Sequence, residues 1–244
     1  GISNNILSTL AVCEAAKLAN CDYVLLISSD KAVRPTNIMG ASKRFSEIIL
    51  QAYSDKLKKE NNFNNKPLYS MVRFGNVLAS SGSVVPLFKS QIDKGGPITI
   101  TDKDITRFFM TITEAVQLVM QSVPLSKGGD VFLLDMGEPV RIIDLAKQMI
   151  NLAGVELKDE SNTNGDIEIV YTGLRKGEKL YEELLISGEC ISTQHPRIFK
   201  ANEKFIPYED LLVQIDNLKL GLNSFDLEKT LDVLQKVVPE WKKN

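Results

Sequence analysis

The residues of this chain best equipped for chemistry are Ser28, Ser29, Asp30 and Lys31, followed by Met39 and Lys43. An apolar run from Tyr23 to Ile27 leads into the first four, so an acid and an amine arrive together at the end of a buried strand. Open α/β sheets bind ligands at that end of their strands. A helix is expected to begin near Gly40, and Met39 and Lys43, four residues apart, share one of its faces. A carboxyl beside an amine can divide acid and base duties. The thioether of Met39 neither gives nor takes a proton, and taken alone Met39 reads as core filling. Proton chemistry therefore rests on Ser29, Asp30 and Lys31, or there is none. Adjacent opposite charges at a strand end are also common in solvated loops, so the pair needs support from the rest of the chain.

The elements that would position these groups alternate between strand and helix. Helices are expected over 5–18, 40–59, 83–94, 141–153, 208–220 and 226–237, with another beginning at Thr113 and a short one over Glu178–Leu185. Strands are expected over 23–28, 69–74, 98–101, 131–134 and 167–171. Asn61 to Lys66 reads as a polar loop and 158–166 as a loose one. Gly95-Gly96-Pro97 stops one helix and Gly154 another. This order implies an α/β fold, the later half of a doubly wound parallel, Rossmann-type sheet plus a smaller α/β substrate-binding lobe. The division is expected near residue 80. Residues 1–80 would form a partial dinucleotide-binding domain carrying the catalytic residues. Residues 81–244 would form mainly the substrate lobe, with some elements returning to the first part.

Composition narrows the function. The 244 residues carry a formal charge of −2, with 43% hydrophobic and 25% charged residues, an ordinary globular balance that offers nucleic acid no basic field. No apolar run is long enough to span a bilayer. Cys13, Cys21 and Cys190 lack metal-ligand spacing, and an odd count suggests free thiols in a reducing compartment. His195 is the only histidine, which excludes a histidine triad or a multi-histidine metal site. The opening Gly1-Ile-Ser-Asn-Asn reads as the inside of a helix, as expected of a piece of a longer protein.

Seven motifs then occur in order: Ser28-Ser-Asp-Lys-Ala, Met39-Gly-Ala-Ser-Lys, Val72-Arg-Phe-Gly-Asn-Val-Leu78, Ser80-Ser-Gly-Ser-Val-Val-Pro86, Thr106-Arg-Phe-Phe-Met110, Leu134-Asp-Met-Gly-Glu-Pro-Val140 and Gly173-Leu-Arg-Lys-Gly-Glu-Lys-Leu-Tyr-Glu-Glu183. Each is weak alone. Together they resemble the extended short-chain dehydrogenases that act as nucleotide-sugar 4,6-dehydratases, closest to the bacterial polysaccharide-biosynthesis group acting on UDP-N-acetylglucosamine. Met39 and Lys43 keep the spacing of that superfamily's Tyr-x-x-x-Lys pair with Met for Tyr, a change this branch carries. Ser29 stands where relatives often have Thr, and Ala79 where many have Gly. The Gly-rich turn and ribose-binding acid of the first Rossmann half are not in the chain, so tight NAD binding by this piece alone is not expected.

The resemblance implies NAD rather than NADP as a shuttle: a hydride leaves sugar C4, water is lost across C5 and C6, and the hydride returns to C6. It implies Asp30 as acid for the C6 hydroxyl and Lys31 as C5 base, its pKa lowered by burial beside Lys43. Lys43 would hold the nicotinamide ribose and Ser29 the C4 hydroxyl. Either Asp30 or a water held by Ser29 takes the C4 proton. Met39 would pack on sugar or nicotinamide. Asn5, Ser28 and Phe74 would face the cofactor. Asn76, Arg107 and Arg175 would contact the diphosphate, Glu178 the uridine ribose. Ser83 would sit in an anion-binding loop or simply cap its helix. Val84, Phe88, Thr99 and Thr101 would line the uracil. No metal is implied. The expected partners are a UDP-sugar and a second copy of the chain. The expected location is cytoplasmic, or the cytoplasmic membrane face where a parent has an N-terminal membrane region. Two other readings compete, a UDP-sugar 4-epimerase and a non-catalytic UDP-sugar-binding fragment. Epimerases keep the Tyr and need no Lys after the Asp, so Met39 and Lys31 argue against the first.

Overall fold

The apolar run that delivers Ser28 to Lys31 is a strand in the computed structural model, which describes residues 1–60, 66–80, 82–186 and 190–243. Of the expected polar loop, 61–65 lie outside the described residues, as does Ser81. In chain order the elements are α1 (Ile2–Leu18), β1 (Tyr23–Ile27), α2 (Ile38–Lys59), β2 (Leu68–Arg73), β3 (Asn76–Val77), α3 (Val84–Asp93), β4 (Ile98–Ile100), β5 (Thr106–Arg107), β6 (Phe109–Met110), α4 (Ile112–Ser122), β7 (Asp130–Leu134), β8 (Val140–Arg141), α5 (Ile142–Leu152), β9 (Leu157–Lys158), β10 (Ile167–Tyr171), β11 (Cys190–Ser192), β12 (Ile198–Ala201), α6 (Tyr208–Asn223) and α7 (Leu227–Val237). They form two compact units. The first holds Gly1–Phe74, Val116–Asp135 and Glu183–Asn244; the second holds Gly75–Ala115 and Met136–Glu182. The division expected near residue 80 thus falls between Phe74 and Gly75, and the last sixty residues belong with the first unit.

The first unit is built on a five-stranded sheet of order β1-β2-β7-β12-β11. Strands β1, β2 and β7 are parallel, as their apolar runs imply. The added β12 pairs antiparallel with β7 and β11 antiparallel with β12, and neither was expected from sequence. Tyr69, Met71, Val131 and Leu133 alternate along β2 and β7, and their buried side chains share one core with α1, α2, α6 and α7. Helix α2 begins where Asn37 accepts the Gly40 amide, at 2.9 Å. Its start packs so closely on the preceding turn that a Cβ on Gly40 would lie 2.2 Å from the Lys31 carbonyl oxygen.

Polar groups are enclosed in this core as a cluster. Arg44, Glu47 and Arg73 are fully buried and Glu203 nearly so. Glu47 accepts from Arg73 Nε at 2.8 Å and Nη2 at 2.6 Å, from Arg44 Nη1 at 3.0 Å and from Ser28 Oγ at 2.6 Å. Arg73 Nη1 donates to Glu203 at 2.7 Å. Burial alone would raise the Glu47 pKa, but the Arg73 and Arg44 guanidiniums and the Ser28 hydroxyl hold it down at about 2. The same carboxylates hold the Arg73 proton more firmly than usual against its own burial.

The second unit has a parallel three-stranded sheet, β4-β10-β9, with small ladders β3-β6 and β5-β8. Phe88, Ile98, Ile100, Ile142, Ala146, Ile150 and Ile167 form its core with α3 and α5. Helix α4 starts earlier than Thr113. Thr111 and Glu114 cap it reciprocally, each hydrogen-bonding the other's amide. The segment expected to be loose, 158–166, is stapled. The Asp159 carboxylate accepts from the Ser161 hydroxyl and the Ser161 and Asn162 amides, which lower its pKa. No helix forms over Glu178–Leu185, because its backbone groups bond elsewhere. In this unit the Leu180 carbonyl accepts from the Thr106 amide, and in the first the Leu184 carbonyl accepts from Arg73.

Glu47 contributes stability that is complete above pH about 4.5 and disappears as pH falls through about 2, worth about 3 kcal/mol by linkage. Urea denaturation of Glu47→Gln is expected to show lower stability at neutral pH, by about 3–5 kcal/mol for a broken buried pair, and a shallower pH dependence between those limits. An unchanged pH slope would mean that Glu47 is not the buried anion. Gly40→Ala should lower the melting temperature although Ala favours helices by up to about 1 kcal/mol, because the new methyl collides with the Lys31 carbonyl. A raised melting temperature would show that the turn yields without cost.

Candidate functional site

In the first unit the end of β1 is tied to the end of β2. The Ser28 amide donates to Val72 O at 2.8 Å and the Asp30 amide to Phe74 O at 3.2 Å, which places the expected cofactor-side Phe74 beside the Ser29–Lys31 turn. Residues 30–32 form one 3₁₀ turn, started by Ser29, whose hydroxyl accepts the Lys31 amide at 3.1 Å. Asp30 is fully buried. Its Oδ1 accepts from Lys31 Nζ at 2.9 Å, and its buried Oδ2 has no hydrogen-bond partner among the described residues. Lys31 does not show the expected burial: its side chain is 32% exposed, and the neighbour it meets is an anion.

Met39 is 45% exposed and Lys43 half-buried, on one face of α2. Asn5 donates to Ser42 at 2.8 Å, so its amide supports α2 from α1. Ser28, expected to touch the cofactor, turns its hydroxyl into the core onto Glu47, because the buried carboxylate is the stronger acceptor. A buried carboxyl oxygen without a partner, an exposed thioether and a half-buried ammonium together fit the reacting end of a nicotinamide cofactor.

The second unit contains a cavity of about 600 Å³ whose walls include Asn76, Ser83, Val84, Phe88, Thr99, Thr101, Arg107, Arg175 and Glu178, the residues expected around the diphosphate and uridine; Ser29, Asp30 and Lys31, expected at the sugar, are not among them. Glu178 organises one wall. It accepts from Thr101 Oγ1 at 3.0 Å, from the Arg175 amide at 3.1 Å and from Arg107 Nη2 at 3.4 Å. Arg107 also donates to Thr106 O at 2.7 Å and Leu180 O at 3.3 Å, with Glu182 3.7 Å from its Nε. These acceptors aim a guanidinium that is only 12% exposed. Arg175 is exposed at the rim.

Gln91 braces Thr99 twice, through its hydroxyl at 2.8 Å and its amide at 3.1 Å. Asn76 pairs with Phe108. Ser83 occupies the N-cap position of α3 but its side chain does not cap it, and its buried hydroxyl has no hydrogen-bond partner among the described residues. Ala79, where relatives often carry Gly, sits at φ 59°, the left-handed region in which Gly is at ease.

Sequence reasoning missed Gln91, Glu182 and the Arg44–Glu47–Arg73–Glu203 cluster. The one available signal was a charged i, i+3 pair, Arg44 and Glu47, inside an otherwise apolar helix face. Among the described residues no group of His, Cys, Asp and Glu is placed to hold a metal, and no helix is long and apolar enough to cross a membrane.

Residues 1–203 match the family described as polysaccharide biosynthesis protein. The chain is 46% identical over 235 residues to the capsular polysaccharide biosynthesis protein CapD of Staphylococcus aureus, covering 95% of itself and 36% of that protein. It is 48% identical over 193 residues to the probable polysaccharide biosynthesis protein EpsC of Bacillus subtilis, covering 79% and 30%. It thus spans about a third of the length of these curated relatives. A UDP-glucose 4-epimerase of Rickettsia bellii is 36% identical, over 79% of this chain and 52% of that protein. Among solved structures, Pen from Bacillus thuringiensis superposes with a TM-score of 0.67 at 32% identity, covering 87% of this chain and 67% of that one. A dTDP-glucose 4,6-dehydratase from Bacillus anthracis in complex with NAD shares the fold, with a TM-score of 0.58 at 16% identity over 72% of this chain and 58% of that one. The Rossmann-type parallel sheet and the match over residues 1–203 lead to one conclusion: the chain belongs to the polysaccharide biosynthesis protein family.

Proposed function

We propose that this chain carries the catalytic turn and the nucleotide pocket of an NAD-dependent 4,6-dehydratase acting on a UDP-N-acetylhexosamine, UDP-N-acetylglucosamine in the first place. The observation that carries the reading is the Asp30–Lys31 pair, hydrogen-bonded at 2.9 Å beside a helix face that offers a thioether where an epimerase needs a phenol. When bound, NAD supplies the acceptor for the C4 hydride and its return to C6. Lys43 and Asn5 belong to the surface that holds its nicotinamide ribose. Ser29 hydrogen-bonds the C4 hydroxyl.

One proton moved along the Lys31–Asp30 hydrogen bond turns the ion pair into a neutral amine and a carboxylic acid. Those are the base that takes the C5 proton and the acid that protonates the departing C6 hydroxyl. Loss of water restores the ion pair; as the hydride returns to C6, Lys31 gives its proton back to C5, and the proton released earlier from the C4 hydroxyl replaces it, so the turn ends as it began. The unpartnered Asp30 Oδ2 supports this role, since a buried carboxyl oxygen is costly unless something completes it. In the second unit Arg107 and Arg175 receive the diphosphate, Glu178 the ribose, and Val84, Phe88, Thr99 and Thr101 the uracil. The products feed the making of a surface polysaccharide, on the cytoplasmic side of the membrane. The relative named as a UDP-glucose 4-epimerase favours a second reading on the same scaffold, and product analysis separates the two. A 4-keto-6-deoxy sugar supports dehydration, and an unreduced 4-epimer supports epimerisation.

In the full-length protein, Lys31→Ala should stop product formation with UDP-sugar binding nearly intact, a loss of about 10²–10⁴-fold for a general base. The decisive assay is exchange of the sugar C5 proton with solvent deuterium; exchange at the wild-type rate removes Lys31 from that role. Arg175→Ala, which leaves the rest of the wall in place, should weaken UDP by about 1.5–3 kcal/mol per lost charge-assisted bond and uridine much less. Arg107→Ala should do the same, with a melting curve recorded because its guanidinium also braces the wall. Equal weakening of uridine and UDP would put both arginines outside the phosphate site.

A further inference from the structure

The turn from Ser28 to Arg34 is held at both ends by the same set of polar groups. At its entry, Ser28 Oγ donates to Glu47 Oε1 at 2.6 Å. Glu47 accepts Arg73, and Arg73 Nη1 passes on to Glu203 Oε1 at 2.7 Å. That oxygen also accepts the Ile186 amide at 3.2 Å. The Ile186 carbonyl returns to the exit of the turn, accepting from Arg34 Nε at 3.1 Å and Nη2 at 2.8 Å. A third contact, Arg34 Nη1 to Glu183 at 3.1 Å, makes the grip two-sided. Arg34 itself sits at φ 38°, a left-handed backbone that a bulky residue keeps only where its surroundings impose it. Between the two anchors lies Asp30, buried with one oxygen uncompleted.

We propose that Ser28 and Arg34 are positioning residues that clamp the two ends of the Ser29–Asp30–Lys31 turn onto one polar circuit through Glu47, Arg73, Glu203 and Ile186; its catalytic consequence rests on the dehydratase reading. The two anchors differ in an informative way. Ser28 is buried, so its loss disturbs the core as well as the turn. The Arg34 side chain is 55% exposed and that of Glu183 42%, and exposed pairs add little to global stability. A grip that barely stabilises the fold but fixes the backbone on either side of an acid and a base acts on orientation, and small misplacements of reacting groups are costly in rate. The circuit also gives residues 183–186, which form no helix, a reason for their irregular path.

The test has two arms. In the chain itself, Arg34→Ala should leave the melting temperature nearly unchanged while the Asp30, Ala32 and Val33 amides exchange with solvent about tenfold faster, a local opening rather than a global one. In the full-length enzyme the same variant should lower kcat about 10-fold to 100-fold with KM for the UDP-sugar little changed. Arg34→Lys should recover part of the loss, since it keeps one donor to Ile186. Ser28→Ala should behave likewise with an added fall in melting temperature, and Ser28→Thr, which keeps the hydroxyl, should restore both. Unaltered amide exchange in Arg34→Ala overturns the clamp whatever the enzyme does. Faster exchange with wild-type kcat overturns its catalytic role. A wild-type enzyme that makes no 4-keto-6-deoxy product sinks the dehydratase reading instead, and the exchange arm still decides the clamp.

Discussion

A carboxylate cannot be taken out of water unless opposite charge and hydrogen bonds replace the water it leaves. Glu47 meets that demand with two guanidiniums and one hydroxyl, and much of the first unit follows from it. Arg73 must end β2 at the depth of Glu47. Arg44 must lie one helical turn before Glu47, and its Nη2 then reaches the Lys204 carbonyl at 2.6 Å. Glu203 must return from beyond β12 to share Arg73. Residues 39, 43 and 47 lie four apart on α2, so anchoring Glu47 in the core also sets the rotation of the helix. Rotation decides that Met39 and Lys43 emerge on the face that follows the Asp30–Lys31 turn. A network that looks purely structural thereby sets where those two side chains stand.

The two units use their charges in opposite ways. In the first, the carboxylates of Glu47 and Glu203 are saturated and sealed, which suits a scaffold that must not move. In the second, Arg107 is held by carbonyls and carboxylates at the wall of a 600 Å³ cavity, and Arg175 stands exposed at its rim. A guanidinium oriented in advance loses little freedom when an anion arrives. Glu178 serves both sides of this arrangement, aiming Arg107 while presenting a carboxylate to whatever enters. The braced Thr99 follows the same logic with neutral groups, since Gln91 fixes both its amide and its hydroxyl.

On the proposed dehydratase reading, the difference from epimerase chemistry on one scaffold comes down to two side chains. A phenol on α2 would let the C4 proton be relayed through the helix face. Met39 removes that route, and Lys31 adds an amine beside the acid. The sugar would then meet its proton donors and acceptors at the strand-end turn, which raises the demand on how firmly that turn is held.

Much of this was legible from residues near one another in the chain. The run Tyr23–Ile27 announced β1, Gly40 the start of α2 to within two residues, and seven ordered motifs the family. Such signals are local, because periodicity, capping and turn chemistry depend on neighbours within about one turn or one pleat. Other features were not legible. Ser28 turned inward to Glu47. Ser83 looked like a cap, and its side chain does not cap α3. Residues 178–185 looked helical, yet Leu180 and Leu184 give their carbonyls to Thr106 and Arg73. Strands β11 and β12 were too short to announce themselves. The sequence by itself determined which groups are available to do chemistry and which elements carry them. Only the tertiary structure decided which distant charges meet, Arg73 with Glu47 and with Glu203. A buried charge chooses its partner by where the folded chain brings one within reach, and no spacing along the sequence records that distance.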